Sequence, residues 1–236
     1  MMNFLIFAGK STHEYGVMIS GEGSYNSPTR KVKKQGVPGK NGDLIFDEGS
    51  YENIPISYPA AIITDMPNRF REFVNFAGAK VGYQRLEDTY HPDEFRMARF
   101  LSDMEVKTSG YMNDSGEFTL IFDCKPQRFL KEGEIATTFN AAGSLINPTP
   151  QVALPYLRIY GTGAGTVGIG PETITITAID SYVDIDCEVM DAFKGATNCN
   201  ANVSFTDDIV LNPGSNGIAL SGNISRVEIT PRWWVI

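Results

Sequence analysis

The sequence predicts a mainly β protein with one short helix, arranged as two domains. Three observations carry this. Short apolar or alternating segments recur between Asn-, Gly- and Pro-containing turns. One stretch, Pro67–Ala79, switches to a helical period. The charge content also changes: residues 1–136 hold 16 of the 20 Lys and Arg and 19 of the 28 Asp and Glu, and the remainder is rich in Gly, Thr, Asn and β-branched residues.

In the first part, Phe4–Phe7 and Tyr15–Ile19 are short apolar runs that read as strands. Val37–Leu44 (VPGKNGDL) is turn chemistry, because Asn41-Gly42 supplies the positive-φ residues of a tight hairpin between flanking strands. Asn53–Tyr58 alternates polar and apolar residues as a half-buried strand does. Phe70, Phe73, Val74 and Ala77 fall on one helical stripe, with Pro67 suited to the first turn and Gly78 to the end. Lys80–Leu86 and Phe95–Phe100 read as further strands. Glu105–Ser109 and Gly116–Cys124 read as a hairpin closing through Met112–Gly116.

Phe139–Leu154 carries Asn-Pro and Thr-Pro dipeptides that favour an extended chain, and the boundary is placed there, giving 1–136 and 137–236. Beyond it, Leu157–Tyr160, Glu172–Ala178, Val183–Val189 and Ser225–Pro231 read as strands, and Leu211–Gly217 as a turn cluster. Several short strands with no long helical pattern predict a β-sandwich.

Composition limits function. At 236 residues with 42% apolar content the chain can build cores, and a net charge of −8 argues against a general nucleic-acid binder. No apolar run approaches the roughly 20 residues that cross a bilayer, and the first residues lack a basic n-region, so neither a membrane partner nor a signal peptide is expected. Cys124, Cys187 and Cys199 form no C-x-x-C pair and are expected to be small, partly buried, unreactive thiols in a reducing compartment.

Catalytic, cofactor and metal patterns are weak, and none is expected. Gly163-Ala-Gly165-Thr-Val-Gly168 matches the dinucleotide pattern, with Asp184 about twenty residues on. That mechanism needs a helix amino terminus facing the pyrophosphate, whereas an alternating Thr/Ile strand follows; the glycines are expected to turn the chain between strands. His13 and His91 have no G-x-S-x-G or H-E-x-x-H companion, and solvated or hairpin-satisfied rings are expected. Asp184, Asp186 and Glu188 share one strand face by alternation and are expected to be solvated. Arg30-Lys31-Val32-Lys33-Lys34 reads either as a guarded edge strand or as a contact for an acidic patch on a neighbouring copy.

In order along the chain, Phe7-Ala8-Gly9-Lys10, Tyr15-Gly16-Val17, Val37–Leu44, Asn53–Tyr58, the tract Leu86–Arg99 with His91-Pro92-Asp93-Glu94-Phe95-Arg96, Phe118–Gln127, Leu211–Ile218 and Pro231-Arg232-Trp233-Trp234 resemble the distal tail protein (Dit) family of siphovirus-type bacteriophages and prophages. The resemblance implies a structural protein of the virion tail, assembled in the bacterial host cytoplasm, and not an enzyme. It implies a homohexameric ring made by the amino-terminal domain, a galectin-like sandwich outside it, and a central channel through which DNA passes without specific binding. The implied partners are further copies of itself, the tail tube protein, the tail-associated hub or lysin protein, and receptor-binding proteins on the outer domains. On this reading Arg30, Lys31, Lys33, Lys34, Arg96 and Arg99 are the candidate ring-interface residues, opposed by acidic loops. The rival expectation is a carbohydrate-binding sandwich that contributes to adsorption on the host cell wall. That would need aromatic platforms beside polar groups, and Trp233-Trp234 are expected instead to be core or interface.

Overall fold

The computed structural model describes residues 3–21, 23, 25–101, 105–109 and 114–236. Two compact units form, one of residues 1–128 with Ile236, the other of 129–235. Residues 129–136 fold with the second unit because Leu130 N–H donates to the Trp233 carbonyl and Arg232 N–H to that of Gly133. A Cβ on Gly133 would lie 2.4 Å from the Trp233 nitrogen, so the two segments meet backbone to backbone.

The strands of the first unit are β1 (Leu5–Phe7), β2 (Lys10–Ser11), β3 (Met18–Ile19), β4 (Arg30–Gly36), β5 (Asp43–Tyr51), β6 (Ile54–Ile62), β7 (Gln84–Asp88), β8 (Glu94–Leu101), β9 (Lys107–Ser109) and β10 (Ser115–Cys124), with helix α1 (Met66–Gly78) between β6 and β7. All of these strands except β4 and β5 form an antiparallel sheet in the order β2-β1-β7-β8-β10-β6-β3, with β9 beside β10. The predicted alternation is realised on β6, where Ile54, Ile56, Tyr58, Ala60 and Ile62 point inward. The helix follows from the apolar stripe: Phe73 and Ala77 are buried, and the Phe73 ring lies 5.7 Å from Phe100 and the Phe70 ring 5.1 Å from Phe118. Edge-to-face aromatic packing of this kind, repeated where Phe76 of the helix meets Phe7 of β1, holds helix to sheet. Pro67 occupies the first turn. The expected β9–β10 hairpin is present, and Met112 and Asn113 of its expected turn lie outside the described residues.

After β11 (Arg128–Leu130) come the strands of the second unit: β12 (Thr137–Phe139), β13 (Gly143–Asn147), β14 (Tyr156–Ile169), β15 (Glu172–Asp186), β16 (Asp191–Lys194), β17 (Thr197–Asn198), β18 (Val203–Phe205), β19 (Gly214–Thr230) and β20 (Trp234–Val235). Three of them are longer than the sequence predicts. Tyr156–Tyr160 of β14 pairs with the ends of β15 and β19, whereas Gly165–Ile169 pairs with their beginnings, and the register shifts between Gly161 and Gly165. Leu157 and Ile159 from one half share a core with Val167 and Ile169 from the other. One sheet therefore bends across its middle and closes on itself as two layers.

The glycine cluster explains the bend. A Cβ on Gly161 would sit 2.4 Å from the Asn223 carbonyl oxygen, and one on Gly165 2.6 Å from that of Ser221. The backbones of β14 and β19 approach more closely than any side chain allows. The expected turn between strands is thus a bend within a strand, and β15 continues through Ala178–Tyr182 in the same way, with Ser181 at φ 66°.

Candidate assembly surface

Among the described residues, strands β4 and β5 pair only with each other, forming a ribbon apart from the main sheet. Its register sets Lys33 opposite Phe46, Lys34 opposite Ile45, and Gln35 opposite Leu44. Opposed residues share a face, so Leu44 and Phe46 lie on one side and Ile45 and Val32 on the other. Both faces are open: Ile45 is 65% exposed, Phe46 53%, Leu44 52%, and no ribbon residue belongs to the unit's core. A hairpin forms where the sequence predicts one, but not through a tight Asn41-Gly42 turn: residues 37–42 connect the strands, with Gly39 and Gly42 at positive φ and Asn41 not.

Polar contacts at the base give the ribbon its shape. Arg30 bonds to the Asp47 carboxylate and donates 3.0 Å to the Tyr51 hydroxyl, with its guanidinium over the Tyr51 ring. The Gly49 N–H and then Arg30 hold the Asp47 carboxyl below the usual carboxylate range, and Asp47 raises Arg30 in turn. Lys33 pairs with Glu48 at 3.4 Å. Lys31 and Lys34 are exposed on β4. A two-stranded ribbon is marginal alone in water, and this one exposes apolar side chains on both faces.

The other two candidate interface residues do not join this group. Arg99 is exposed on β8 and lies 3.7 Å from Asp123. Arg96 is a correction to the surface reading: it is 9% exposed and faces the interior with Ala98 and Phe100. Residues 96 and 99 have opposite parity along a strand and cannot share a face. Burial lowers the Arg96 guanidinium from its ordinary value, although it stays charged near neutrality.

The remaining candidates are held by local contacts. His91 is half-buried and bonds through Nδ1 to Asp88 at 3.0 Å, and Asp88 also accepts from the Tyr58 hydroxyl at 2.9 Å. His13 lies in a short 3₁₀ turn capped by Ser11. Asp184 departs from the expected solvated face: it is 3% exposed and takes a two-pronged bond from Arg158, at 2.6 and 2.9 Å. Asp186 is likewise bound by Arg232, at 2.7 and 3.0 Å. Sequence reasoning missed both pairs, because their partners are distant in sequence; the Arg158–Asp184 register on β14 and β15 brings one together, and Arg232 lies between β19 and β20. Among the described residues no cluster of His, Cys, Asp and Glu is placed to hold a metal.

For saccharide binding the relevant feature is the aromatic rings of the second unit. Trp233 is 5% exposed, and Trp234 donates its indole N–H to the Val152 carbonyl. Arg226 lies 3.8 Å over the Tyr160 ring, and Arg158 and Lys194 lie over Tyr182. These ring faces are already occupied by cations.

No family model matches the sequence, and no curated protein matches it. Among solved structures, the crystal structure of the Dit protein of phage SPP1 matches with a TM-score of 0.77 at 13% identity, covering 100% of both chains. That protein is described as a paradigm of the hub adsorption apparatus in phages that infect Gram-positive bacteria. From its first strand to its last, this polypeptide has the fold of the SPP1 Dit protein.

Proposed function

We propose that the chain is a distal tail protein of a siphovirus-type phage or prophage, a structural subunit that tiles into a closed homohexameric ring. The ring joins the tail tube to the tip or baseplate, binds the tail-associated hub or lysin protein on its other face, and carries receptor-binding proteins outside. DNA leaves through its channel, where the −8 charge of each copy disfavours adhesion. The proposed division of labour gives ring formation to the amino-terminal domain and the periphery to the carboxy-terminal sandwich.

The β4–β5 ribbon carries this reading. Its exposed Leu44, Ile45 and Phe46 find no partner in the unit's own core, and repeated contact with the next copy supplies one. A surface patch that contacts a different patch on the next copy makes a heterologous interface, which closes into a ring when the rotation permits. Lys31 and Lys34 flank it and suit acidic loops of a neighbour. A saccharide-binding role draws less support, since the tyrosine ring faces are covered by Arg226 and Arg158.

The test is a triple variant, Leu44→Ser, Ile45→Ser and Phe46→Ser, compared with the unchanged protein by sedimentation velocity. Each side chain contributes about 1.5–3 kcal/mol when fully buried, so the variant is expected to sediment as a single chain with an unaltered thermal transition. Equal association by both proteins would remove the ribbon from the interface.

A further inference from the structure

Within the first unit, Tyr58, Asp88, His91, Glu94, Arg96 and Arg128 help to line a small cavity of about 40 Å³. Its acidic groups are already engaged. Glu94 accepts from Arg128 at 3.2 Å. Asp88 accepts from the Tyr58 hydroxyl and from the His91 backbone N–H, and its oxygens also meet the His91 ring nitrogen. Arg96 is 9% exposed, and its Nη1 is buried without a hydrogen-bond partner among the described residues; Arg128 Nε is in the same state. Cys124 offers no negative charge, because burial pushes its thiol up to about 12. Burial is the main influence on Arg96 and lowers it, and repulsion from Arg128 acts in the same direction.

A buried guanidinium that cannot lose its proton and has no carboxylate of its own is an uncompensated charge. Two residues that carry buried orphan donors line one cavity, and a charged acceptor binds such donors more strongly than a neutral one. The space exceeds the roughly 10–15 Å³ that a single water needs, yet is far too small for a phosphate ester or a sugar acid. We propose that this cavity is a binding site for a small monovalent anion of halide size, held by Arg96 with Arg128 beside it. The site is independent of the assembly role and would stabilise the first unit alone.

The probes are chloride and bromide. Calorimetric unfolding in sodium chloride is compared with unfolding in sodium gluconate at equal ionic strength, since gluconate cannot enter the cavity. Occupancy by chloride is expected to raise the first-unit transition by about 2–4 °C at saturating concentration, as a ligand bound only by the folded state does. The Arg96→Met variant is expected to show no such difference. Crystals grown with bromide are expected to give an anomalous peak within hydrogen-bond distance of Arg96. Equal transitions in the two salts, or a bromide map with no peak beside Arg96, would overturn the assignment and leave the cavity to water.

Discussion

The bend in the second unit rests on β14 and β19 approaching backbone to backbone, and replacing its glycines tests this quantitatively. In Gly161→Ala the new methyl carbon would meet the Asn223 carbonyl oxygen at 2.4 Å, and in Gly165→Ala it would meet the Ser221 oxygen and the Ile224 side chain, both at 2.6 Å. In each case one obstacle is backbone, so relief requires the strands to separate. Overpacking of this type costs about 1–3 kcal/mol, and the backbone obstacle puts both variants near the upper end. Gly168→Ala is the control, because its nearest neighbour is the Ala219 Cβ at 3.3 Å. There the stiffening of the unfolded chain, worth ~0.4–1 kcal/mol, offsets the contact. Both tryptophans of the chain, Trp233 and Trp234, lie in the second unit, so urea unfolding followed by indole emission reports that unit. With a slope of roughly 1–3 kcal/mol per molar urea, Gly161→Ala and Gly165→Ala are expected to lower the midpoint by about 1–2 M and Gly168→Ala by little. A Gly161→Ala midpoint equal to that of the unchanged protein would refute the close approach.

Two further outcomes follow from groups whose protonation the fold shifts. Arg232, then the Glu188 N–H, holds the Asp186 carboxyl below its ordinary 3.8 against the opposing effect of burial. Its contribution is therefore complete above about pH 4 and is lost as pH falls through the lower folded value. Asp186→Asn is expected to lose stability above pH 4 and to show a shallower acid limb in indole emission; parallel acid limbs would contradict the pairing. Cys124 and Cys187 are buried, and burial first pushes both thiols up to about 12, whereas Cys199 is partly exposed. A thiol-disulfide reagent at pH 8 is expected to modify one cysteine per native chain and three in denaturant; three rapid modifications in the native protein would contradict this burial.

Local chemistry made much of the first unit legible. The alternation at Asn53–Tyr58 and the apolar stripe of α1 each depend on residues a few positions apart, and each recurs in the structure. A hairpin also forms around Asn41-Gly42, but through a longer connection in which Asn41 is not at positive φ. What depended on distant partners was hidden. Asp184 looked like a solvated carboxylate because Arg158, its partner, lies 26 residues away. The lengths of β14, β15 and β19 were hidden for a related reason: glycines that read locally as turns serve here to let two strands touch while the chain continues. Arg96 was the avoidable miss, since strand parity alone separates it from Arg99. That the ribbon exposes apolar residues on both faces follows from its register and its separation from the main sheet; neither is written in composition.

The central claim is that copies of this chain complete one another through the β4–β5 ribbon. Native mass spectrometry of the purified protein, with negative-stain images of the same sample, tests it most directly. The account predicts a species of six 25.9 kDa chains and images of a closed ring with a central opening. A single chain at every concentration, with the ribbon cleaved freely by protease, would contradict it.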